Sequence, residues 1–151
     1  MCRKNLTALL TFVTLAFASS SFSATTPADA IKYRKAMMSA MAAHTGAFSL
    51  INFGRVEHQD QLLSHVEALA TLGSQLDTLF PAGTGAGDTD ALPLIWQEQE
   101  KFGQLVTATG KSTAELRDAV AAGDKAATMK AFKAVGQACK GCHDRYRKEK
   151  K

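Results

Sequence analysis

The segment LLSHVEALATLGSQLDTL, which occupies residues 62–79, has the clearest pattern in the 151-residue sequence. Its large apolar side chains recur in steps of three and four residues, at Leu62, Val66, Leu69, Leu72, Leu76 and Leu79. Side chains with this spacing lie on one face of a helix and form the apolar stripe of a bundle helix. The pattern therefore predicts a helix from about Asp60 to Leu79, which Pro81 ends.

Three other segments also have helical patterns with capping or breaking residues at their ends. A Thr-Pro start predicts a first helix over residues 27–51. One long helix is predicted over residues 93–123, although Gly110 and the capping-box sequence at 112–115 favour a break near Gly110 as the alternative. An Asp at the N-cap position predicts the last helix over residues 124–148.

The connection over residues 80–92 is rich in Gly, Pro and Asp and is predicted to be a loop that crosses over or lines a pocket. It is longer than the connections of about 2–8 residues that are usual in bundles. No segment alternates with a period of two for long enough to predict a strand. The sequence therefore predicts an all-α fold, an antiparallel up-down-up-down four-helix bundle.

The N-terminus has the features of an export signal. Arg3 and Lys4 precede an uncharged run over residues 6–18 that is short for a membrane span, which needs about 20 residues. Small residues follow it, and we predict cleavage after Ser23. The mature domain is then 24–151, periplasmic and not membrane-spanning, and Cys2 leaves with the signal peptide. An uncleaved N-terminal anchor is the alternative.

The charge balance argues against several functions. Lys and Arg number 18 and Asp and Glu number 14, so the formal net charge is +4. This excess is small and evenly spread, so we expect no nucleic-acid partner. No pair of acidic residues suggests acid/base catalysis, and we expect that the protein is not an enzyme.

The last predicted helix contains the string CKGCH at residues 139–143. Cys-x-x-Cys-His is the attachment signature of c-type haem. On a helix, Cys139, Cys142 and His143 share one face, so both thiols can reach the vinyl groups of one porphyrin while the imidazole reaches the iron. We predict one haem c per chain, with His143 as an axial iron ligand.

Other uses of the two cysteines lack the accompanying features that they need. A thioredoxin-like motif is expected in a βαβ setting, and a structural zinc site needs a second pair of ligands. The mature sequence has no further Cys. A haem-free thiol-redox protein that uses Cys139 and Cys142 remains an alternative.

The whole mature sequence resembles the class II cytochromes c, the family of cytochrome c′ and its low-spin Met-ligated members. Four strings carry the resemblance: AIKYR at 30–34, LFP at 79–81, LPLIW at 92–96 and CKGCHDRYR at 139–147. The resemblance implies a left-handed antiparallel four-helix bundle with haem between its helices. It also implies that Cys139, Cys142 and His143 hold that haem.

The family divides at the sixth iron position, which the resemblance places at Met38. Cytochromes c′ leave the iron five-coordinate and bind NO or CO, whereas low-spin members ligate it with Met and carry electrons. A Met38 thioether would raise the redox potential, but Met at helical spacing is also ordinary core packing. The resemblance further places Arg34 at a haem propionate, Lys35 beside it, and Arg147 on the proximal side of the haem.

Several other side chains are interpreted as structural. We expect Met41 to be a core residue and Trp96 to pack at the end of the bundle. The three histidines outside the motif are interpreted as surface or structural side chains: His44, His58 and His65.

These observations predict a periplasmic c-type cytochrome that carries one electron through its haem. The first alternative is a five-coordinate cytochrome c′ that binds NO or CO. We expect periplasmic redox proteins as partners, and the resemblance implies a homodimer as a further assembly.

Overall fold

The structure is a computed structural model that describes residues 25–149. The signal peptide predicted over residues 1–23 lies outside the described residues. Five α-helices follow one another: α1 (Pro27–Asn52), α2 (Leu62–Gly73), α3 (Leu94–Gln97), α4 (Gln99–Ala121) and α5 (Lys125–Tyr146). Short 3-10 helices lie at Gln59–Gln61 and Leu76–Leu79.

Four of these helices form the bundle. α2 packs against α1 and α4, and α4 packs against α5. From residue 25 to residue 149 there is no strand, and the nearest approach to one is an isolated antiparallel pair of Ala91 with Arg147. The predicted all-α four-helix bundle is confirmed.

Both predicted N-caps are present. Thr26 Oγ1 accepts a 3.1 Å hydrogen bond from the Asp29 backbone N–H, and Asp124 accepts one of 2.9 Å from the Ala127 N–H. Each bond satisfies an amide that the first helical turn leaves without a partner. α5 ends at Tyr146 rather than at the predicted Lys148, because the chain becomes extended there and the Lys148 N–H donates to the Asp90 carbonyl.

The second predicted helix is shorter than its apolar stripe. α2 ends at Gly73, and Leu76 and Leu79 continue the stripe from a 3-10 helix while remaining buried. The Ser74 hydroxyl donates to the Thr71 carbonyl at 2.8 Å. Such side-chain bonds offer the backbone an alternative to the α-helix, and a step of three residues suits the 3-10 geometry.

The prediction of one long third helix is wrong, and so is the alternative break at Gly110. The break lies at Glu98, between α3 and α4, where φ is −114° and ψ is 47°. Gly110 lies inside α4, and a Cβ added there would meet the Gly73 carbonyl at 3.2 Å. This glycine therefore permits the close approach of α2 and α4 rather than a turn.

The core has two parts along the bundle. One part lies near the α4–α5 turn and consists of Phe48, Val66, Leu116 and Val135. The other lies towards the loop of residues 80–92 and includes Met37, Met41, Leu69, Leu76, Leu79, Ile95, Phe102, Val106 and Tyr146. The second part borders a cavity between α1 and α5.

Candidate cofactor site

Cys139, Cys142 and His143 line one cavity of about 480 Å³ from the inner face of α5. Their spacing of three and four residues within a continuous helix places them on this common face. The structure therefore brings the two thiols and the imidazole of the sequence motif together at one cavity.

The other walls of the cavity are mainly apolar. They come from α1, α2, α4 and the inner side of α5: Met38, Met41, Leu69, Phe102, Val106 and Val135. A second cavity of about 350 Å³ shares Met38, Phe80, Phe102, Cys142 and His143 with the first. Volumes of about 300–1,000 Å³ with apolar walls and few polar groups are typical of cofactor sites.

Met38 belongs to α1 and lines both cavities, as His143 of α5 does. It is half-buried, whereas Met37 and Met41 on the same helix are buried in the core. The expectation that Met41 is a core residue is confirmed. Of these three methionines, Met38 is thus the one whose side chain is shared by both cavities.

The two thiols lie in surroundings that disfavour the thiolate. Burial raises the pKa of Cys139, and burial together with the neighbouring Cys139 raises the pKa of Cys142 to about 11. The thiolate is the nucleophile in disulfide exchange, so redox-active cysteines have lowered pKa values. This environment argues against the thiol-redox alternative.

Comparison with known proteins identifies the family of the chain. The family model described as Cytochrome C' matches residues 29–147. A cytochrome c' of Alcaligenes xylosoxydans xylosoxydans is 38% identical over 125 residues, which are 82% of this chain and 97% of that protein. The chain belongs to the cytochrome c′ family.

Solved structures of cytochrome c′ proteins have the same fold. The nitric oxide complex of a point mutant from Alcaligenes xylosoxidans superposes with a TM-score of 0.77 at 36% identity, covering 85% of this chain and 100% of that one. Cytochrome c prime from Shewanella frigidimarina gives a TM-score of 0.79 at 33% identity, covering 84% of this chain and 100% of that one.

No helix within residues 25–149 has the length and apolarity that crossing a membrane requires.

The cofactor of the cytochrome c′ family is haem c, and the residues present here fit it. Two thiols and an imidazole meet at one mainly apolar cavity, which is the donor set that a c-type haem requires. Cys139 and Cys142 would hold the haem by thioether bonds, and His143 would supply an axial nitrogen.

Arg34 holds the loop of residues 80–92 through hydrogen bonds from its buried guanidinium. Its guanidinium donates to Thr84 Oγ1 at 2.9 Å, to the Thr84 carbonyl at 3.0 Å, to Thr89 Oγ1 at 2.7 Å and to the Leu79 carbonyl at 3.3 Å. Burial lowers its pKa, and the guanidinium lies 5.0 Å from the centre of the Phe80 ring. The contact with a haem propionate that the family resemblance implies stays a prediction.

Lys35 and Arg147 also line the smaller cavity. Lys35 donates to Asp88 at 2.7 Å, and this bond lowers the pKa of Asp88. The Nε atom of Arg147 is buried and has no hydrogen-bond partner in the described part of the chain. Their predicted roles around the haem remain predictions.

The sequence pattern did not indicate the side chains that hold the loop of residues 80–92. Thr84 and Thr89 accept hydrogen bonds from Arg34, and the Trp96 indole donates to the carbonyls of Phe80 and Pro81. Trp96 therefore closes the loop, which extends its expected role in packing. Contacts over such sequence separations leave no periodic signal in a sequence.

Proposed function

We propose that this cytochrome c′ family member is a periplasmic one-electron carrier, with haem c ligated by His143 on one side and by Met38 on the other. The observation that carries the proposal is that Met38 of α1 and His143 of α5 line the same two cavities. The partners we propose are periplasmic redox proteins that supply and accept the electron.

When bound, the haem supplies the chemistry: its iron gains or loses one electron, and no bond is made or broken in a substrate. The chain's own residues hold it and exclude water. Cys139 and Cys142 fix its position through the helix, and the apolar side chains of Phe102, Val106 and Val135 keep the surroundings dry. A Met–His ligand pair and a dry site both favour the reduced state and raise the potential.

Binding of NO or CO is the second candidate function. It is supported by the apolar character of the cavity beside Met38, which can admit a small uncharged molecule, and by the relative whose nitric oxide complex has been solved. In this case Met38 packs against the open side of the haem without bonding to the iron.

Absorption spectra of the exported, haem-loaded protein distinguish the two candidates. The ferric and reduced forms are recorded before and after addition of CO, for the natural chain, for Met38→Leu and for Met41→Leu. Met41→Leu is the matched control, because it changes a core Met on the same helix with little change of volume.

If Met38 ligates the iron, the natural chain and Met41→Leu give low-spin spectra that CO does not change, and Met38→Leu becomes high-spin and binds CO. A high-spin natural chain that responds to CO contradicts the electron-carrier proposal and supports gas binding. Absence of a haem band from cells competent in haem attachment contradicts both.

A further inference from the structure

Two histidines outside the haem cavity form a pair between α1 and α2. His44 lies on α1 and His65 lies on α2, and their Nδ1 atoms are 3.0 Å apart. The rings are tilted by 55°, with their centres 5.3 Å apart, and both residues are half-buried. Neither residue lines the two cavities bounded by Cys142 and His143.

We propose that His44 and His65 form a binding site for a divalent late transition-metal ion, of the class of Zn²⁺, Ni²⁺ and Cu²⁺. Imidazole nitrogen is a preferred ligand of these ions. Two Zn–N bonds of about 2.0 Å place the nitrogens about 2.8 Å apart at a right angle and about 3.3 Å apart at the tetrahedral angle. The separation of 3.0 Å lies between these two values.

The histidine pair can bind a metal ion without a change in the number of protons on the two imidazoles. In the hydrogen-bonded pair, one Nδ1 carries the proton and the other accepts it. When a metal ion binds both Nδ1 atoms, that proton moves to Nε2 of its own ring through solvent, and both imidazoles stay neutral. Each ring then gives one lone pair to the ion.

The site has two protein ligands and leaves the other positions to water. Between residues 25 and 149 no group of three or more His, Cys, Asp and Glu side chains could hold a metal ion. The neighbouring residues on α1, such as Ala40 and Ala47, are small, so water can reach the ion beside the half-buried rings. We therefore expect an exchangeable ion that cross-links α1 and α2, not a permanently bound one.

Calorimetric titration of Zn²⁺ into the exported, haem-loaded protein tests the site. Zn²⁺ has no redox chemistry, so it does not exchange electrons with the haem, and in the loaded protein Cys139, Cys142 and His143 are occupied. The variants are His44→Asn and His65→Asn, since Asn can still hydrogen-bond to the remaining imidazole. His58→Ala is the matched control, because His58 is exposed on the α1–α2 connection.

The natural chain and His58→Ala should bind one Zn²⁺, and either Asn variant should lose at least about tenfold in affinity. Added Zn²⁺ should also raise Tm for the first two proteins and leave it unchanged for the Asn variants, because only a ligand of the folded state stabilises it. Equal binding by all four proteins overturns the proposal, as does an unchanged Tm of the natural chain at millimolar Zn²⁺. Far-UV circular dichroism shows that each variant is folded.

Discussion

The Tyr146 hydroxyl, at the end of α5, donates a 2.9 Å hydrogen bond to the carboxylate of Glu98 at the break between α3 and α4. Arg145 donates to the same carboxylate from Nε at 2.7 Å and from its terminal nitrogen. These contacts join the end of the cysteine-bearing helix to the point where the third helical segment bends. They also lower the pKa of Glu98 to about 2, chiefly through the hydrogen bond from Arg145.

Glu98→Gln should reduce the dependence of stability on acid pH. The pKa of Glu98 in the folded protein, about 2, is below its ordinary value of 4.5. Its stabilising contribution is therefore complete above pH 4.5 and is lost as the pH falls towards 2. Glu98→Gln should be less stable than the natural chain at pH 7, and the difference should shrink at pH 3. Urea midpoints at both pH values measure this effect.

Glu100→Gln is the control for this prediction, because Glu100 is exposed in the first turn of α4. The urea midpoint of Glu100→Gln should fall between pH 7 and pH 3 as much as the midpoint of the natural chain does. A Glu98→Gln protein whose midpoint falls between pH 7 and pH 3 as steeply as the natural midpoint would contradict the role assigned to this carboxylate.

Arg34→Met should destabilise the protein far more than Lys35→Met. Arg34 is 4% exposed and donates to Thr84 and Thr89 of the loop and to the Leu79 carbonyl just before it. Its removal therefore leaves buried acceptors without partners. We expect a loss of about 3 kcal/mol in the free energy of unfolding. Lys35 forms an ion pair with Asp88 in which both side chains are largely exposed, and such pairs contribute about 0–1 kcal/mol. Urea unfolding of both variants provides the test, and equal losses would disprove the anchoring role of Arg34.

Gly73→Ala should separate α2 from α4. A Cβ at Gly73 would overlap the Thr113 hydroxyl, which is fully buried in the facing helix. Overpacking of this kind costs about 1–3 kcal/mol. Gly103→Ala is the matched change on α4, and its Cβ would meet nothing within 4 Å. There the gain in helix propensity should stabilise the protein by about 0.5–1 kcal/mol, so thermal unfolding should shift in opposite directions for the two variants.

Asp124→Ala should weaken the start of α5. The Asp124 carboxylate accepts the 2.9 Å bond from the Ala127 N–H, and loss of an N-cap costs about 1 kcal/mol. Asp124→Asn should retain most of the stability, because the Asn side chain can accept the same bond. Urea unfolding at neutral pH compares the three proteins, and an equal loss in both variants would mean that charge, not capping, is what Asp124 contributes.

The sequence predicted the helix starts and the shared face of the haem motif well, because residues only three or four positions apart determine them. Thr26 and Asp124 act through amides three residues away, and the spacing of Cys139, Cys142 and His143 fixes their common face. The same holds for the loop of residues 80–92, whose Gly and Pro content rules out regular structure.

Errors arose where a distant partner decides the local conformation. The helical backbone is interrupted at Glu98, whose carboxylate accepts a hydrogen bond from Arg145, 47 residues away in sequence. Gly110 is a helical residue of α4 against which the backbone of α2 at Gly73 packs closely. The His44–His65 pair is likewise formed across two helices, and no spacing rule within one helix could have detected it.

The meeting of distant segments at the loop has a consequence for the order of folding. Arg34 reaches Thr89 across 55 residues, and the Leu92 N–H and Lys148 N–H bond to the carbonyls of Tyr146 and Asp90. Closing long loops costs more entropy than closing short ones, whereas α4 and α5 are joined by a tight turn at Gly123. We expect the α4–α5 hairpin to form early. The contacts that the loop of residues 80–92 makes with α1 and with the end of α5 should form last. The cysteines would then stay within reach of the attachment machinery while their helix is already formed.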